Sequence, residues 1–167
     1  YDGYNGAPDR YNWTVLGKQE KLSIQNNYQV NLTPASVMLQ PGHANQDPVR
    51  YEMRRQWVVE GSLKSSARHI YAKRVLRMDE DSGQMTAGEI YDGRGELWRI
   101  QEVGQAPDYR PEASTCWTTG GEWVYDLLAG RYIALQLKSG RPANAVTGLE
   151  RLTPDYYTPA NVRRLGR

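Results

Sequence analysis

The side chains that could do chemistry are few in this chain of 167 residues. Two histidines, His43 and His69, and a single cysteine, Cys116, are the candidate bases and nucleophile. A catalytic pair of Cys116 with either histidine needs a fold that brings them together. We interpret His43 as a loop histidine and His69 as a neutral, hydrogen-bonded histidine in a strand. The sequence contains no G-x-S-x-G, P-loop or H-E-x-x-H motif, so it predicts neither enzyme activity nor a cofactor.

The acidic segment 79–83, Asp-Glu-Asp-Ser-Gly, is the one stretch that invites a metal. Oxygen ligands at alternate positions suit calcium. The calcium-loop template fails at its fifth and sixth positions, which are occupied by Gly83 and Gln84. The segment is more typical of a solvated hairpin turn. Because Cys116 stands alone, a paired-cysteine zinc or redox motif is also excluded, and we predict no metal site.

One charged residue interrupts an apolar pattern. Arg55 falls on the alternating series formed by Tyr51, Met53, Trp57 and Val59. A guanidinium on an otherwise apolar face must be paired or reach water, because an unpaired buried charge is costly. We favour a salt bridge to an acid on a neighbouring strand. The alternative is a contact with the head group of a ligand at the mouth of a cavity.

The elements that position these residues follow from a repeated unit of a β-type run and a short polar break. The runs are Tyr51–Glu60, Ser66–Met78, Gln84–Asp92, Gly95–Val103, Glu122–Leu128 and Arg131–Leu137. Most of the connections are too short for a crossover helix, so neighbouring runs must pair antiparallel. The sequence therefore predicts a mainly β fold: a curved antiparallel meander in sequential order.

The N-terminal part adds less regular elements. Asn12–Leu16 and Lys21–Gln25 are predicted strands on either side of a glycine, Tyr28–Leu32 is a third short run, and Ala35–Leu39 has room for one helical turn. No long amphipathic helix is available to cover a sheet of this size. An upstream segment or a ligand would have to cover it.

A short helix is predicted near the end of the chain. Thr158 is a typical N-cap and Pro159 fits the first helical position, with Gly166 after the last turn. Between Gly104 and Gly121 the sequence predicts a long loop. We expect residues 1–167 to form one β-rich domain, the C-terminal portion of a longer exported protein.

Composition excludes several classes of function. The net charge is +2, with 21 Lys and Arg interleaved among 19 acids, so the basic residues are not segregated as a nucleic-acid groove requires. The most basic stretch, residues 68–74, sends its charges to both faces of a strand. No apolar run approaches the roughly 20 residues of a membrane-spanning helix. All large rings are Tyr (12) or Trp (5), which suit half-exposed surfaces and ligand-lined clefts.

Apolar side chains at alternating positions of the runs predict one apolar face of the sheet. If that face is concave and partly uncovered, it can hold a hydrophobic ligand; a covered core is the ordinary interpretation of such a stripe. The candidate ligand-binding residues are Met53, Trp57, Ile70, Leu76, Met78, Met85, Trp98, Ile133 and Leu135, with Arg55 as the possible head-group contact.

Several residue strings resemble the C-terminal part of a Gram-negative family, DUF1329, whose members are often labelled outer-membrane lipoprotein-sorting proteins. The strings are YExxRxWVVE from Tyr51, RHIYAKR from Arg68, DEDSxQ from Asp79, YDGRGELWR from Tyr91 and YTPAxxRR from Tyr157. The family pattern carries a tryptophan at the position of Gly83, so the turn is expected to be looser here. The family has no agreed catalytic residues, and none is carried over.

The resemblance implies the half-open β-barrel of the Lol lipoprotein carriers, in which a concave sheet holds acyl chains. It also implies a periplasmic location with a signal peptide upstream, and partnership with an RND-type, MMPL-like exporter and an outer-membrane protein. The leading hypothesis is a carrier for a lipid, an acyl chain or another hydrophobic cargo. The alternatives are an adaptor subunit that docks on the exporter, and an envelope enzyme that uses His43 or His69 with nearby carboxylates.

Overall fold

The computed structural model describes residues 3–107, 117–137 and 154–166. They form a seven-stranded sheet in sequential order, and every neighbouring pair is antiparallel. The strands are β1 (Tyr11–Ile24), β2 (Tyr51–Leu63), β3 (Lys73–Asp79), β4 (Met85–Tyr91), β5 (Leu97–Pro107), β6 (Trp117–Asp126) and β7 (Arg131–Leu135). The helices are α1 (Tyr28–Leu32), α2 (Ala35–Met38) and α3 (Pro159–Leu165), with short 3₁₀ turns at Pro8–Arg10 and Pro154–Tyr157. The predicted meander is confirmed.

The N-terminal strands differ from the prediction. A single strand, β1, replaces the two predicted at Asn12–Leu16 and Lys21–Gln25. A bulge at Leu16 lets the strand continue past the glycine that was predicted to separate them. Gly17 beside the bulge has a φ of +114°, which a side chain disfavours. Tyr28–Leu32 is helical, so the prediction of a strand was wrong there. The hydrophobic pattern of a five-residue segment cannot distinguish a buried helical turn from a short strand.

The third strand begins later than predicted. Residues 64–72 form an irregular connection, and β3 starts only at Lys73. The prediction of strand for residues 66–72, including His69 and Ile70, is therefore wrong. The residues near Ala72 make isolated backbone bonds to Leu63 and Tyr91 rather than a ladder. β2 uses part of the predicted break instead and extends to Leu63.

The predicted long loop between the fourth and fifth runs is shorter than expected. β5 continues to Pro107 and β6 already begins at Trp117. The prediction for residues 108–116, Cys116 among them, falls outside the described residues. β7 ends at Leu135, because Gln136 adopts a left-handed φ of +57° that no extended strand accommodates.

The sheet is strongly curved and open. Across a flat sheet, β2 and β5 would lie about 14 Å apart, three strand spacings. The Tyr51 hydroxyl on β2 nevertheless donates to Oε1 of Glu102 on β5 at 3.3 Å. The amide of Asn27, beyond β1, donates to the carbonyl of Gln105 at 2.8 Å. The β1–β2 ribbon therefore curls toward β5, while β1 and β7 remain the two edges of the sheet.

A compact core lies where the connection between β1 and β2 crosses β6. Ile24, Val30, Met38, Ala44 and Trp123 are all buried in one cluster. Partly buried Val49, Tyr125, Tyr132, Ala134 and Leu137 pack around it. The chain thus covers part of its own sheet with two short helices. The predicted helical turn at Ala35–Leu39 is confirmed as α2, but its covering role was not predicted.

The predicted C-terminal helix is confirmed. Thr158 is its N-cap and its hydroxyl accepts a hydrogen bond from the Asn161 amide at 3.4 Å, with Pro159 at the first position. Over residues 3–107, 117–137 and 154–166, no helix has the length and apolarity needed to cross a membrane.

Candidate functional site

One face of the sheet collects most of the predicted ligand-binding residues. Side chains directly opposite each other in an antiparallel ladder share a face. One row of such partners runs through Val15, Val59, Leu76, Gly88, Gln101, Val124 and Ile133. The next row joins Trp57, Met78 and Met85. We call this side the apolar face; with the period of two along each strand it includes Met53 and Leu135.

The apolar face is exposed along both flanks of the sheet. On the β1–β2 side, Leu22, Met53 and Trp57 expose 65%, 62% and 39% of their surface. On the β7 side, Ile133 and Leu135 expose 54% and 40%. The opposite face has its tryptophan, Trp123, fully buried in the core. Two exposed apolar strips therefore lie on the same side of one sheet.

Between the strips, a segment of the chain itself lies on the apolar face. We call Gly3–Arg10 the strap. A Cβ built on Gly3 would lie 2.5 Å from Cγ2 of Val103 and 3.3 Å from Sδ of Met85, so the strap backbone touches the sheet there. Both of these apolar side chains are buried. The centre of the face is thus covered, and only its flanks are open.

Three side-chain donors on or beside this face bind backbone carbonyls of the strap. Nε2 of Gln101 donates to the Gly3 carbonyl. Nη1 of Arg74 donates to the Asn5 carbonyl at 3.0 Å, and Nε1 of Trp13 donates to the Pro8 carbonyl at 2.8 Å. These bonds fix the strap by its main chain.

Two of the predicted ligand-binding residues lie outside the aligned rows of the apolar face, and a third, Met85, lies beneath the strap. Ile70 lies in the connection before β3, so its assignment to the apolar face is wrong. Trp98 is the extra residue of a bulge in β5. Its Nε1 donates to Asp126 Oδ1 at 3.1 Å, and its ring packs edge-on against Tyr71. Neither placement could be read from alternation, because one residue lies outside the ladder and the other interrupts it.

Arg55 is paired. Its Nε and Nη2 bind the carboxylate of Glu80 at 2.5 and 2.9 Å, which confirms the salt bridge favoured from sequence. Lys18 binds the same carboxylate at 3.2 Å and lies 4.4 Å from the centre of the Trp57 ring. Glu20 is directly opposite Arg55. Two acids therefore balance two cations, and this corner offers no excess charge for an anionic head group.

The acidic turn is anchored by a buried carboxylate rather than being wholly solvated. Asp79 is 1% exposed and accepts hydrogen bonds from Gln25, Arg54 and Ser82. Burial alone would raise the pKa of Asp79, but the hydrogen bonds from Arg54 and Ser82 lower it below its usual value. Within the described ranges, no group of three His, Cys, Asp or Glu side chains could hold a metal ion.

The histidines have structural surroundings. His43 is exposed, and its Nδ1 lies 2.8 Å from the Ala44 carbonyl. Nδ1 of His69 accepts from the Tyr71 amide at 3.0 Å, and burial together with the charges of Arg74 and Arg10 lowers the pKa of His69. No carboxylate in the described part of the chain bonds to either ring.

A buried cation on the apolar face, near the start of β3, was not predicted from the sequence. Arg74 is 6% exposed and is surrounded by aromatic rings. Its guanidinium lies 5.1 Å from the ring centre of Tyr4, 5.3 Å from that of Tyr11 and 5.0 Å from that of Tyr71. Arg74 precedes Leu76 by two positions, so alternation already placed it on this face. Its burial depends on the strap, which local pattern does not reveal.

The half-buried carboxyl of Glu102 was not predicted either. Burial raises the pKa of Glu102, and the hydrogen bond from Tyr51 only partly offsets this. Burial, together with the nearby charge of Glu102, also raises the pKa of Tyr125 to about 12. The tyrosine that contacts Glu102 comes from a strand three positions away in the sheet, so only the curvature creates this pair.

Comparison with known proteins places these features in a family. The chain is 41% identical to the uncharacterized protein PA3922 of Pseudomonas aeruginosa over 99% of its own length, and spans about a third (36%) of that relative. A crystal structure of a DUF1329 family protein from Desulfovibrio piger matches 75% of this chain and 38% of its own, with 13% identity and a TM-score of 0.47. A Vibrio parahaemolyticus domain, named as a candidate outer membrane lipoprotein-sorting protein, matches with 12% identity, coverage of 75% and 39%, and a TM-score of 0.47.

The family model described as "Protein of unknown function (DUF1329)" matches residues 1–163, nearly the whole chain. The family resemblance inferred from the residue strings is thereby confirmed. The chain belongs to the DUF1329 family.

Proposed function

We propose that this chain is a binding module of a periplasmic carrier for a lipid, a lipoprotein acyl chain or a similar hydrophobic cargo. The observation that carries the proposal is the pair of exposed apolar strips on one face of a curved sheet, with Met53 and Trp57 on one flank and Ile133 and Leu135 on the other. Scattered apolar side chains on a surface are normal, but apolar residues gathered on one face indicate an interaction site.

The energetics permit useful affinity. Burial of an acyl chain of about 16 carbons contributes roughly 12 kcal/mol, at about 0.8 kcal/mol per methylene. Association costs at least about 4 kcal/mol. A dissociation constant in the micromolar range is therefore expected, tight enough to extract a lipid and weak enough to release it.

The same proposal includes location and partners. A carrier of this kind would work in the periplasm beside an RND-type, MMPL-like exporter and an outer-membrane protein, and would need no catalytic group or cofactor.

A fluorescent fatty-acyl probe tests the proposal directly. The probe should bind the full chain and quench its tryptophan fluorescence. Trp57→Asp and Leu135→Asp should each weaken binding at least tenfold, because each places a charge in a strip. The matched control is Asn12→Asp, a residue that is exposed on the opposite face, where it lies beside Ser62. A folded protein that ignores the probe, or equal loss of binding in the control, would contradict the proposal.

An adaptor function is the second candidate, and the strap favours it. The strap buries Met85 and Val103, so the centre of the face is already an ordinary core. An exporter subunit could then dock on the remaining strips without any lipid. Native mass spectrometry of gently extracted protein separates the two functions, since co-purified lipid is expected for a carrier and none for an adaptor.

A further inference from the structure

Arg74 is a buried cation for which the described residues supply no anion. None of the ion pairs within the described residues includes it. Its Nε donates to the Tyr11 hydroxyl at 3.3 Å and its Nη1 to the Asn5 carbonyl at 3.0 Å. Both acceptors are neutral. Burying a guanidinium without an opposite charge is costly, and a buried cation without an anionic partner is a candidate binding site for an anion.

The aromatic rings offset only part of that cost. Tyr4, Tyr11 and Tyr71 each place a ring within about 5 Å of the guanidinium, close enough for cation–π attraction. Tyr4 belongs to the strap, but Tyr11 and Tyr71 lie outside it and still hold the guanidinium in one orientation when the strap is displaced. They leave some of its N–H donors free to bind oxygen atoms, which is the geometry that recognises phosphate or carboxylate.

Arg74 is the cation that an entering anion would meet. Burial lowers the pKa of His69, and the charges of Arg74 and Arg10 lower it further. Arg10 belongs to the strap, and Arg99, nearby on the same face, is paired with Asp126. When the strap is displaced, the uncompensated positive charge at this position is therefore that of Arg74.

The strap occupies the position that such an anion would take. Its Gly3, Asn5 and Pro8 carbonyls accept hydrogen bonds from Gln101, Arg74 and Trp13. Carbonyl oxygens bound by side-chain donors are what the oxygens of a phosphate or carboxylate would replace. A charged oxygen forms a stronger bond with Arg74 than a neutral carbonyl does.

From this placement, and resting on the carrier function proposed above, we propose that Arg74 binds the phosphate or carboxylate head group of an anionic amphiphile, which displaces the strap. The acyl chain then lies along Leu76 and Met78, which follow Arg74 on the same face of β3. Met78 is directly opposite Trp57, so the chain ends at the exposed strip of β2. The strap serves as an internal substitute for the head group when no ligand is bound.

Equilibrium binding to the full chain tests this proposal with three probes. Oleoyl lysophosphatidic acid carries a phosphate and the oleoyl chain, monoolein carries the same chain without a charge, and inorganic phosphate carries the charge alone. We expect the lysophosphatidic acid to bind roughly 10- to 100-fold more tightly than monoolein, the usual value of a hydrogen bond to a charged group. Hydrogen exchange at the amides of residues 3–10 should rise when it binds.

Arg74→Gln and Arg74→Met should reduce that preference to less than threefold. Because both variants also remove the bond to the Asn5 carbonyl of the strap, the affinity for monoolein should rise or stay equal, and the fall in preference must come from weaker binding of the lysophosphatidic acid. Arg94→Gln removes the same charge from an exposed turn and should keep the preference. If both Arg74 variants fail to fold, the wild-type comparison of the two lipids still decides the question.

The outcomes separate the two proposals. Equal affinity of the wild type for both lipids would overturn the role of Arg74 and leave the carrier function standing. Failure of both lipids to bind would overturn the carrier function itself. In a third outcome, inorganic phosphate alone displaces the strap as tightly as the lysophosphatidic acid does. That result would support the anion site and identify free phosphate as its ligand.

Discussion

The indole ring of Trp13 lies directly on the backbone of Gly61, its neighbour across β1 and β2. A Cβ built on Gly61 would lie 2.5 Å from Cζ3 of that ring and 2.8 Å from Cε3. The same indole donates to the Pro8 carbonyl and packs against the rings of Tyr4 and Tyr11. The absence of a side chain at Gly61 thus allows the sheet to hold both the ring and the strap.

Gly61→Ala should therefore destabilise the protein by about 1–3 kcal/mol, the usual cost of overpacking. The free energy of unfolding in urea measures this. Gly93→Ala is the matched control, because a Cβ there would meet nothing within 4 Å. Equal stability of the Gly61 variant and the control would show that Trp13 moves away without cost.

Gly3→Val should detach the strap. Gly3 has a φ of +84°, and a side chain there would collide with Val103 and Met85. We expect faster hydrogen exchange over residues 3–10 and several-fold tighter binding of the fatty-acyl probe, because the strap no longer competes. Gly93→Val serves as the control. Unchanged probe binding with a detached strap would show that the covered centre of the face takes no part in ligand binding.

Asp79→Asn should cost roughly 3 kcal/mol or more at pH 7, because it leaves Arg54 and the buried turn without their carboxylate. The pKa of Asp79 is lowered in the folded protein, so its contribution is present above the unfolded value of about 3.9 and is lost as pH falls through the folded pKa. The stability difference between wild type and variant should shrink below about pH 4.

Urea unfolding between pH 2 and pH 7 provides this measurement for Asp79. Asp81→Asn is the control, since Asp81 binds the same arginine from an exposed position and a surface pair is worth about 0–1 kcal/mol. A pH-independent difference for Asp79→Asn would contradict the assignment.

Glu102→Gln should change the stability in the opposite direction to Asp79→Asn. Burial raises the pKa of Glu102, so the wild-type carboxyl favours the fold fully below its unfolded pKa of about 4.3, and this contribution is lost as pH rises through the folded pKa. The Gln variant avoids ionisation and should be more stable than wild type at pH 8, with little difference at pH 3.5. Glu96→Gln, on an exposed turn, should show neither effect. A destabilised Gln variant at pH 8 would contradict the prediction.

Joint replacement of His43 by Ala, His69 by Asn and Cys116 by Ser should leave hydrophobic-ligand binding within about twofold of wild type, since no step of the proposed function uses them. The thermal melt checks folding, because the ring of His69 accepts a bond from the Tyr71 amide. Loss of a measurable turnover without loss of stability would favour the enzyme hypothesis instead.

The sequence determined the order and pairing of the strands. Breaks such as Gly93-Arg94 are too short for a crossover, so antiparallel neighbours follow from chain length alone. Alternation also placed Met53 and Trp57 on one side of β2, and Leu76 and Met78 on one side of β3, because a period of two is a local property. The C-terminal helix was equally local, since Thr158 and Pro159 supply its start.

The local sequence pattern gave wrong predictions where long-range contacts determine the structure. Ile70 has the residue type of a strand but lies outside the ladder. Tyr28–Leu32 has the residue types of a strand and forms a helix, because Val30 packs into the core beside Trp123. Asp79 is buried by contacts from Gln25 and Arg54, both distant in sequence.

The amino-acid sequence by itself thus determined a curved antiparallel meander with an apolar side to each strand. Only the tertiary structure decided that these sides align from Val15 on β1 to Ile133 on β7, since register depends on every intervening turn and bulge. It also decided that Gly3–Arg10 covers the centre of the aligned face and buries Arg74. The physical reason is that alternation acts between neighbouring residues, whereas burial depends on which distant segment folds back over them.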